Sequence, residues 1–368
     1  MSCKLHSQLH DFESASRKLA TMETLLVTGG AGFIGAAYVR QVRNAGWARV
    51  INLDSLTYAS DSSSLPENDH QHLFVHGDIL DRALIDSLLK NHQPMGIVHF
   101  AAESHVDRSI DRPIDFVKTN VLGTVELLDA CYDYWRGLDA AGQNAFRFVH
   151  ISTDEVYGSL EAPLQATEDS PYMPSSPYAA SKAAADMFVQ AYHRTYGLPV
   201  IVTNCTNNYG PNQYPEKLIP FMIMSAATGG KLPLFGDGLQ IRDWLHVEDH
   251  CRAIDKVLRH GKVGSTYLIG GGNARTNLEV VRKIAFLVDQ QVHESRPLAQ
   301  NSIEFVADRP GHDRRYAIDT QMLHRELGWA PSIDWDDGIA ATVDWYLTHL
   351  PRMKERAKER SRQGLSRF

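Results

Sequence analysis

The chain has 368 residues, 43% of them hydrophobic and 22% charged, with a formal net charge of −7. That length allows one large α/β domain with a smaller companion, and the composition is that of an ordinary soluble enzyme. The acidic balance excludes a basic nucleic-acid footprint, and no run is long enough for a membrane span.

Residues 1–21 are polar and charged without an apolar stretch, so they do not read as a secretory signal. Residues 1–23 are expected to be a disordered leader, with Met22 an alternative start. From residue 25 onward short apolar runs alternate with helical patterns. Residues 25–28 read as a strand, followed by a glycine turn and a helix to about residue 45. Further strands are expected at 50–54, 73–76, 96–101, 146–152 and 199–204, with helices at 81–92, 114–135 and 178–196. Such alternation predicts an α/β fold, a Rossmann-type doubly wound parallel sheet. Residues 24–206 would form this dinucleotide-binding domain. After Asn207, Pro211, Pro215, Pro220, Gly229, Gly230, Gly236 and Gly238 punctuate shorter elements. Residues 207–350 therefore read mainly as a smaller α/β substrate domain, with parts returning to the first, and 351–368 as a basic tail. The long polar segment 159–177 reads as a substrate-facing lid. Four widely spaced cysteines (Cys3, Cys131, Cys205, Cys251), with no C-x-x-C, read as free thiols of a reducing cytoplasm; no metal site is expected.

The turn Gly29-Gly30-Ala31-Gly32-Phe33-Ile34-Gly35 lies between a strand and a helix. Gly29, Gly32 and Gly35 permit a tight turn, close approach of a pyrophosphate and close helix–strand packing. The phosphates would lie against the helix N-terminus. Asp54 ends the next strand, placed to accept from adenosine ribose hydroxyls and to repel a 2′-phosphate, which selects NAD over NADP. Asp78-Ile79 would meet adenine or merely cap a helix. Ala101-Ala102 would let the dinucleotide pass close to the backbone or simply pack the core.

Tyr178 and Lys182 stand one helical turn apart and face the same way. A free phenol titrates near 10, so as a base it needs a nearby positive charge, which Lys182 and an oxidised nicotinamide would both supply. Lys182 can also hold the nicotinamide ribose. Asp154 and Glu155 follow the strand that ends near Ser152. A simple alcohol oxidation uses no extra acid and base; a dehydration uses both.

The glycine turn, Tyr-x-x-x-Lys and strand order resemble the extended short-chain dehydrogenase/reductases. Within them, Ser152-Thr153-Asp154-Glu155-Val156-Tyr157-Gly158 resembles the nucleotide-sugar 4,6-dehydratases, supported by stretches 101–110, 204–220, 236–250 and 308–319. The likeness runs from about residue 25 to 346. It implies a lyase that acts on a nucleotide sugar, dTDP-glucose in particular, by transient oxidation at carbon 4, elimination across carbons 5 and 6, and hydride return to carbon 6. Tyr178 would take the 4-hydroxyl proton beside Thr153, Glu155 the carbon 5 proton, and Asp154 would protonate the departing hydroxyl. The resemblance also implies Phe33, Ile34 and Thr57 at the cofactor, and Ser104, Glu216, Lys217 and Leu218 at the substrate. Asn208 and Arg242 would meet its phosphates, with Asn277, Arg309 and His312 nearby. For Arg242 an ion pair with Asp243 or Asp237 is the bland alternative. A homodimer through 114–135 and 178–196 is implied, with Val117, Val121, Val125 and Leu128 as the apolar stripe. The chain departs from the pattern at Ser55, at Ser60-Asp61 where Gly-Asn is usual, at His246, and in its basic tail. Alternatives are another substrate such as UDP-glucose, a 4-epimerase, for which the acids have no use, or a non-catalytic nucleotide sensor.

Overall fold

The computed structural model describes residues 22–294 and 296–362, the last four of these by backbone alone. The expected leader lies almost wholly outside the described residues, as do 363–368.

Twelve strands are described: β1 (Glu23–Thr28), β2 (Ala48–Asp54), β3 (His72–His76), β4 (Gly96–His99), β5 (Arg147–Thr153), β6 (Val200–Cys205), β7 (Asn207–Tyr209), β8 (Leu232–Phe235), β9 (Ile241–His246), β10 (Thr266–Ile269), β11 (Ala274–Thr276) and β12 (Ile303–Val306). The larger helices are α1 (Phe33–Ala45), α2 (Arg82–His92), α3 (Thr124–Arg136), α4 (Pro177–Tyr196), α5 (Leu218–Ala227), α6 (Val247–His260), α7 (Asn277–Val292), α8 (Trp335–Thr348) and α9 (Leu350–Arg362).

Seven strands form one parallel sheet in the order β10-β6-β5-β4-β1-β2-β3. The two-residue period of a strand explains how it is covered on both faces. Along β1, Leu25 and Val27 join the core cluster that contains Val42, Ile254 and Val257, whereas Leu26 joins the opposite one with Ile85, Leu127 and Leu128. The chain builds outward from β1 through β2 to β3, then returns to β4 on the other side. That reversal opens a crevice at the carboxyl ends of β1 and β4, where such sheets bind ligands.

Residue choice fixes the helix ends. Ser176 accepts from the Ala179 amide at 3.1 Å, Pro177 occupies the first turn, and left-handed Gly197 closes α4. On α7, Thr276 and Glu279 form a reciprocal capping box.

After β6 the chain makes a three-stranded sheet, β11-β9-β7, and a pair, β12-β8. These pack with α5, α7 and α8 around a separate core that includes Ile223, Trp244, Ile284 and Trp335. β10 nevertheless joins the large sheet beside β6. Among the described residues no helix is long and apolar enough to cross a membrane.

Some expectations needed correction. The strand expected to reach Ala101 ends at His99. The helix expected over 114–135 is interrupted by a π-helical stretch, Val117–Gly123. There the Asn120 side chain accepts from the Glu103 amide at 2.8 Å and donates to Ser181 Oγ at 2.8 Å, and Thr124 Oγ1 donates to the Asn120 carbonyl at 2.6 Å. Such widened turns recur at functional sites. Leu128 of the expected apolar stripe is wholly buried in the protein's own core, but Ile114, Val117, Leu122, Met187 and Phe188 are exposed. No residue of segment 159–177 is among those lining the crevice. The Leu160 amide donates to Arg315, Ala166 to Ala317, and Asp319 back to Ala166, which lays the segment along 315–319.

Candidate active site

The glycine turn sits where the crevice opens. Gly29 has φ +71°, and a Cβ there would lie 2.5 Å from the Ala101 amide nitrogen; a Cβ on Gly35 would strike the Gly29 carbonyl. These two glycines are thus demanded by the protein's own packing. Gly32, the N-cap of α1, provides no side-chain cap, and Gly32, Phe33 and Ile34 line the crevice. The first helical amides have no intrahelical partner and favour an anion at that point.

Asp54 is buried at the end of β2. Its Oδ2 accepts from the Ala31 amide at 2.9 Å, and its Oδ1 accepts from the Leu56 amide at 2.8 Å and Ser60 Oγ at 2.9 Å. A carboxylate has about four acceptor positions, so room remains for a ribose hydroxyl. Thr57, Asp78, Ile79, Ala101, Ala102, Ser104, Glu216 and Lys217 also line this crevice. The Asp78 side chain accepts from the Leu80 amide at 3.0 Å.

Thr153 ends β5, and Asp154 and Glu155 begin the short 3-10 turn after it. Thr153 Oγ1 donates to Asp154 Oδ1 at 3.3 Å, while Asp154 Oδ2 is buried without a protein partner. Burial, then the Glu155 charge, holds the Asp154 carboxyl well above its ordinary range. Burial also raises Glu155, but Arg242, Arg309 and Lys217 oppose the rise. Two adjacent carboxyls are thereby driven apart: Asp154 keeps its proton more strongly.

Tyr178 and Lys182 project from α4 onto the same strand end and line the crevice with Thr153. Lys182 Nζ donates to the Ile151 carbonyl at 2.9 Å and lies 3.4 Å from His150 Nε2. The expected lowering of the phenol is not a property of the polypeptide alone. Burial, then Glu155, pushes Tyr178 well above its ordinary value, and burial lowers the Lys182 ammonium. The phenol requires a positive ligand charge to become a base.

In the second half of the chain, Asn208 is held by His250, whose Nδ1 lies 2.9 Å from Asn208 Oδ1. Lys217 Nζ donates to the Ser104 carbonyl at 2.7 Å, and Tyr58 OH donates to Glu216 Oε1 at 3.1 Å. Arg242 donates to the Asp313 carbonyl at 2.9 Å and stacks 4.1 Å over the Tyr316 ring. Among the described residues it forms no ion pair: Asp237 pairs with Arg314, and Asp243 accepts from the Gly271 and Asn273 amides. Arg309 pairs with Asp107 at 2.8 Å and His312 with Asp308 at 2.6 Å. Leu218 and Asn277 open α5 and α7 and do not form the crevice wall.

Two groups escaped the sequence reading. Tyr316 OH lies 3.5 Å from Glu155 Oε2 and 2.8 Å from Asp313 Oδ2. It sits within the stretch 308–319 that carried the resemblance but had no role there. Beneath Lys182, Asp186 Oδ2 accepts from Ser152 Oγ, Tyr172 OH and Asn204 Nδ2, and its Oδ1 lies 3.2 Å from His150 Nε2. Its spacing of four from Lys182 on one helix face was the available signal.

The parallel sheet, the glycine turn, an acid at the end of β2 and the Tyr-Lys helix define a short-chain dehydrogenase/reductase-type dinucleotide enzyme. A family profile, GDP-mannose 4,6 dehydratase, matches residues 26–342. The dTDP-glucose 4,6-dehydratase of Xanthomonas campestris pv. campestris strain B100 is 55% identical over 331 residues, covering 89% of this chain and 94% of that protein. The dTDP-glucose 4,6-dehydratase 1 of Escherichia coli K12 is 51% identical over 336 residues, covering 88% and 93%. The crystal structure of the Streptomyces venezuelae dTDP-glucose 4,6-dehydratase DesIV, with NAD bound, superposes with a TM-score of 0.83 at 46% identity, covering 90% and 99%. A Thermotoga maritima UDP-glucose 4-epimerase superposes with a TM-score of 0.78 at 26% identity, covering 89% and 99%. The chain belongs to the nucleotide-sugar 4,6-dehydratase family, and the relatives at 50–55% identity are dTDP-glucose 4,6-dehydratases.

Proposed function

We propose that the enzyme converts dTDP-glucose to dTDP-4-keto-6-deoxyglucose and water, with NAD recycled in each turnover. The observation that carries this reading is the adjacency of Asp154, its Oδ2 buried without a protein partner, and Glu155 at the end of β5, beside Tyr178 and Lys182. NAD fits the uncapped N-terminus of α1 and the remaining acceptor capacity of Asp54; when bound it supplies a hydride acceptor for carbon 4, a donor for carbon 6, and a positive ring beside Tyr178.

Oxidation at carbon 4 makes the carbon 5 proton acidic and places the carbon 6 hydroxyl β to a carbonyl. Tyr178 takes the proton of the 4-hydroxyl, with Thr153 bonded near that oxygen and Lys182 close to the ribose. Glu155 removes the carbon 5 proton and later returns it. Asp154, kept protonated, donates from its unpartnered Oδ2 to the departing hydroxyl, which leaves as water. One turnover therefore leaves a proton on Tyr178 and removes one from Asp154; Thr153, bonded to Asp154, shares the crevice with Tyr178.

Asn208 and Arg242 are assigned to the diphosphate of the substrate, with Asn277, Arg309 and His312 nearby, Glu216 and Lys217 close to its base, and Ser104 and Leu218 also on the substrate side. Residues 24–206 hold the cofactor and 207–350 mainly the nucleotide sugar, with β10 returning to the first sheet. A homodimer is assigned to segments 114–135 and 178–196, which expose Ile114, Val117, Leu122, Met187 and Phe188. The free buried Cys131, Cys205 and Cys251 accord with a reducing cytoplasm.

The test is incubation with dTDP-glucose, UDP-glucose and GDP-mannose, scoring loss of one water by mass. Loss from dTDP-glucose with no net cofactor reduction is expected. Preference for UDP-glucose would reassign the substrate, and stoichiometric cofactor reduction would make the chain a dehydrogenase.

A further inference from the structure

Helix α9 comes from the basic tail, whose sequence departs from the family's pattern. Met353 is wholly buried, and Arg352 and Arg356, four residues apart, share one helix face. Both reach one carboxylate across the molecule, Asp61: Arg352 hydrogen-bonds Asp61 Oδ2, and Arg356 Nη1 lies 3.2 Å from the same oxygen. Asp61 and Arg356 side chains are only 10% and 12% exposed. Asp61 also stands where the family's pattern has Asn, so the fold brings two departures into contact.

The loop they grip belongs to the cofactor half. The Asp61 amide donates to the Ala31 carbonyl of the glycine turn at 2.8 Å, and Asp61 Oδ1 accepts from Ser63 Oγ at 2.6 Å. Arg356 donates to the Ser60 carbonyl at 3.2 Å, and Ser60 Oγ in turn donates to Asp54 at 2.9 Å. From the other side the clasp holds the first loop of the substrate half. Arg356 lies 5.1 Å over the Tyr214 ring, Arg352 donates to Asn212 Oδ1 at 3.4 Å, and Tyr346 OH donates to the Gln213 carbonyl at 2.6 Å. Ala59, Ser60, Gln213 and Tyr214 all line the crevice.

We propose that Arg352 and Arg356 are positioning residues that, through Asp61, lock loop 58–61 onto the glycine turn and so slow the escape of NAD. The clasp touches the loop behind Asp54, not the reacting carbons. Its loss therefore shows in cofactor residence. The proposal rests on the reading that the crevice holds NAD.

The test uses the full-length protein with Arg352→Gln, Arg356→Gln, the double variant, and Asp61→Asn, which keeps shape but removes the charge. Three quantities are read: NAD retained through purification, the rate at which bound NAD exchanges with excess labelled NAD, and the affinity for dTDP. The clasp holds the loop behind Asp54, so its loss acts on cofactor release: exchange should quicken about tenfold or more, a larger factor than the change in dTDP affinity, whose side of the crevice the clasp touches only at 212–214. Asp61→Asn should quicken exchange alone but add little to the arginine variants. Unchanged exchange in variants that melt cooperatively would overturn the clasp. Equal loss of NAD and dTDP binding would reduce it to general stability. Wild-type protein that binds no NAD would instead defeat the cofactor reading.

Discussion

Lys182 donates to the carbonyl oxygen of Ile151 at 2.9 Å, which ties the catalytic helix to the strand that ends in Thr153. The hydrogen bond joins α4 to β5 beneath all four proposed chemical groups. Below it, burial and then the Lys182 charge push His150 down to about 4, so the ring is neutral and its Nε2 serves one partner at a time.

Asp186 should be the stability anchor of that junction. It is 1% exposed and takes three hydrogen bonds on one oxygen. Asp186→Ala strands those buried donors and should cost about 3–5 kcal/mol, read as a lower urea midpoint at unchanged slope. Asp186→Asn should recover part of the loss. A midpoint unmoved in both would refute the anchor.

Asp154→Asn should trap the reaction after oxidation. In the proposed mechanism hydride removal from carbon 4 uses Tyr178 and Lys182, so the reduced cofactor's absorbance band should appear in a single turnover, while water loss slows by about 10²–10⁴-fold. The same variant should change stability in a definite direction. Because folding raises the Asp154 pKa above its ordinary 3.8, the stability it contributes is full below that value and is lost as pH rises through the folded one. Asparagine has no such loss. Melting temperatures of the variant should therefore gain on the parent's increasingly as pH rises above the ordinary carboxylate range.

Arg242→Met removes the foremost charge that restrains Glu155. Glu155 should then hold its proton to higher pH, and the acid limb of the kcat profile should move upward. KM for the nucleotide sugar should rise about tenfold or more with the loss of a phosphate partner. A raised KM with an unmoved limb would leave Arg242 in binding alone.

Gly29→Ala tests the turn. The new Cβ would meet Ala101 at 2.5 Å in a left-handed backbone, so NAD content should vanish and stability should fall by roughly 1–3 kcal/mol. Full NAD content would show that the turn tolerates displacement.

Much of this protein is legible in its sequence. Alternating apolar runs and helical patterns, and the spacing of Gly29, Gly32 and Gly35, depend on neighbours in the chain, so the parallel sheet, the glycine turn and α4 were readable from them. The adjacency of Asp154 and Glu155, and the spacing of Tyr178 and Lys182, are likewise local. Tertiary structure alone decided which distant groups set their acidity. Arg242, Arg309 and Lys217 converge on Glu155 from separate segments and oppose the rise that burial gives it, whereas the Glu155 charge adds to burial in raising Asp154. It also broke the helix at Asn120, whose side chain serves Glu103 and Ser181, and laid segment 159–177 along 315–319. The tail read only as basic charge until the fold set Arg352 and Arg356 against Asp61, almost three hundred residues earlier. Charge composition has no range or direction in a sequence; desolvation and distance, which decide what a charge does, exist only once the chain is packed.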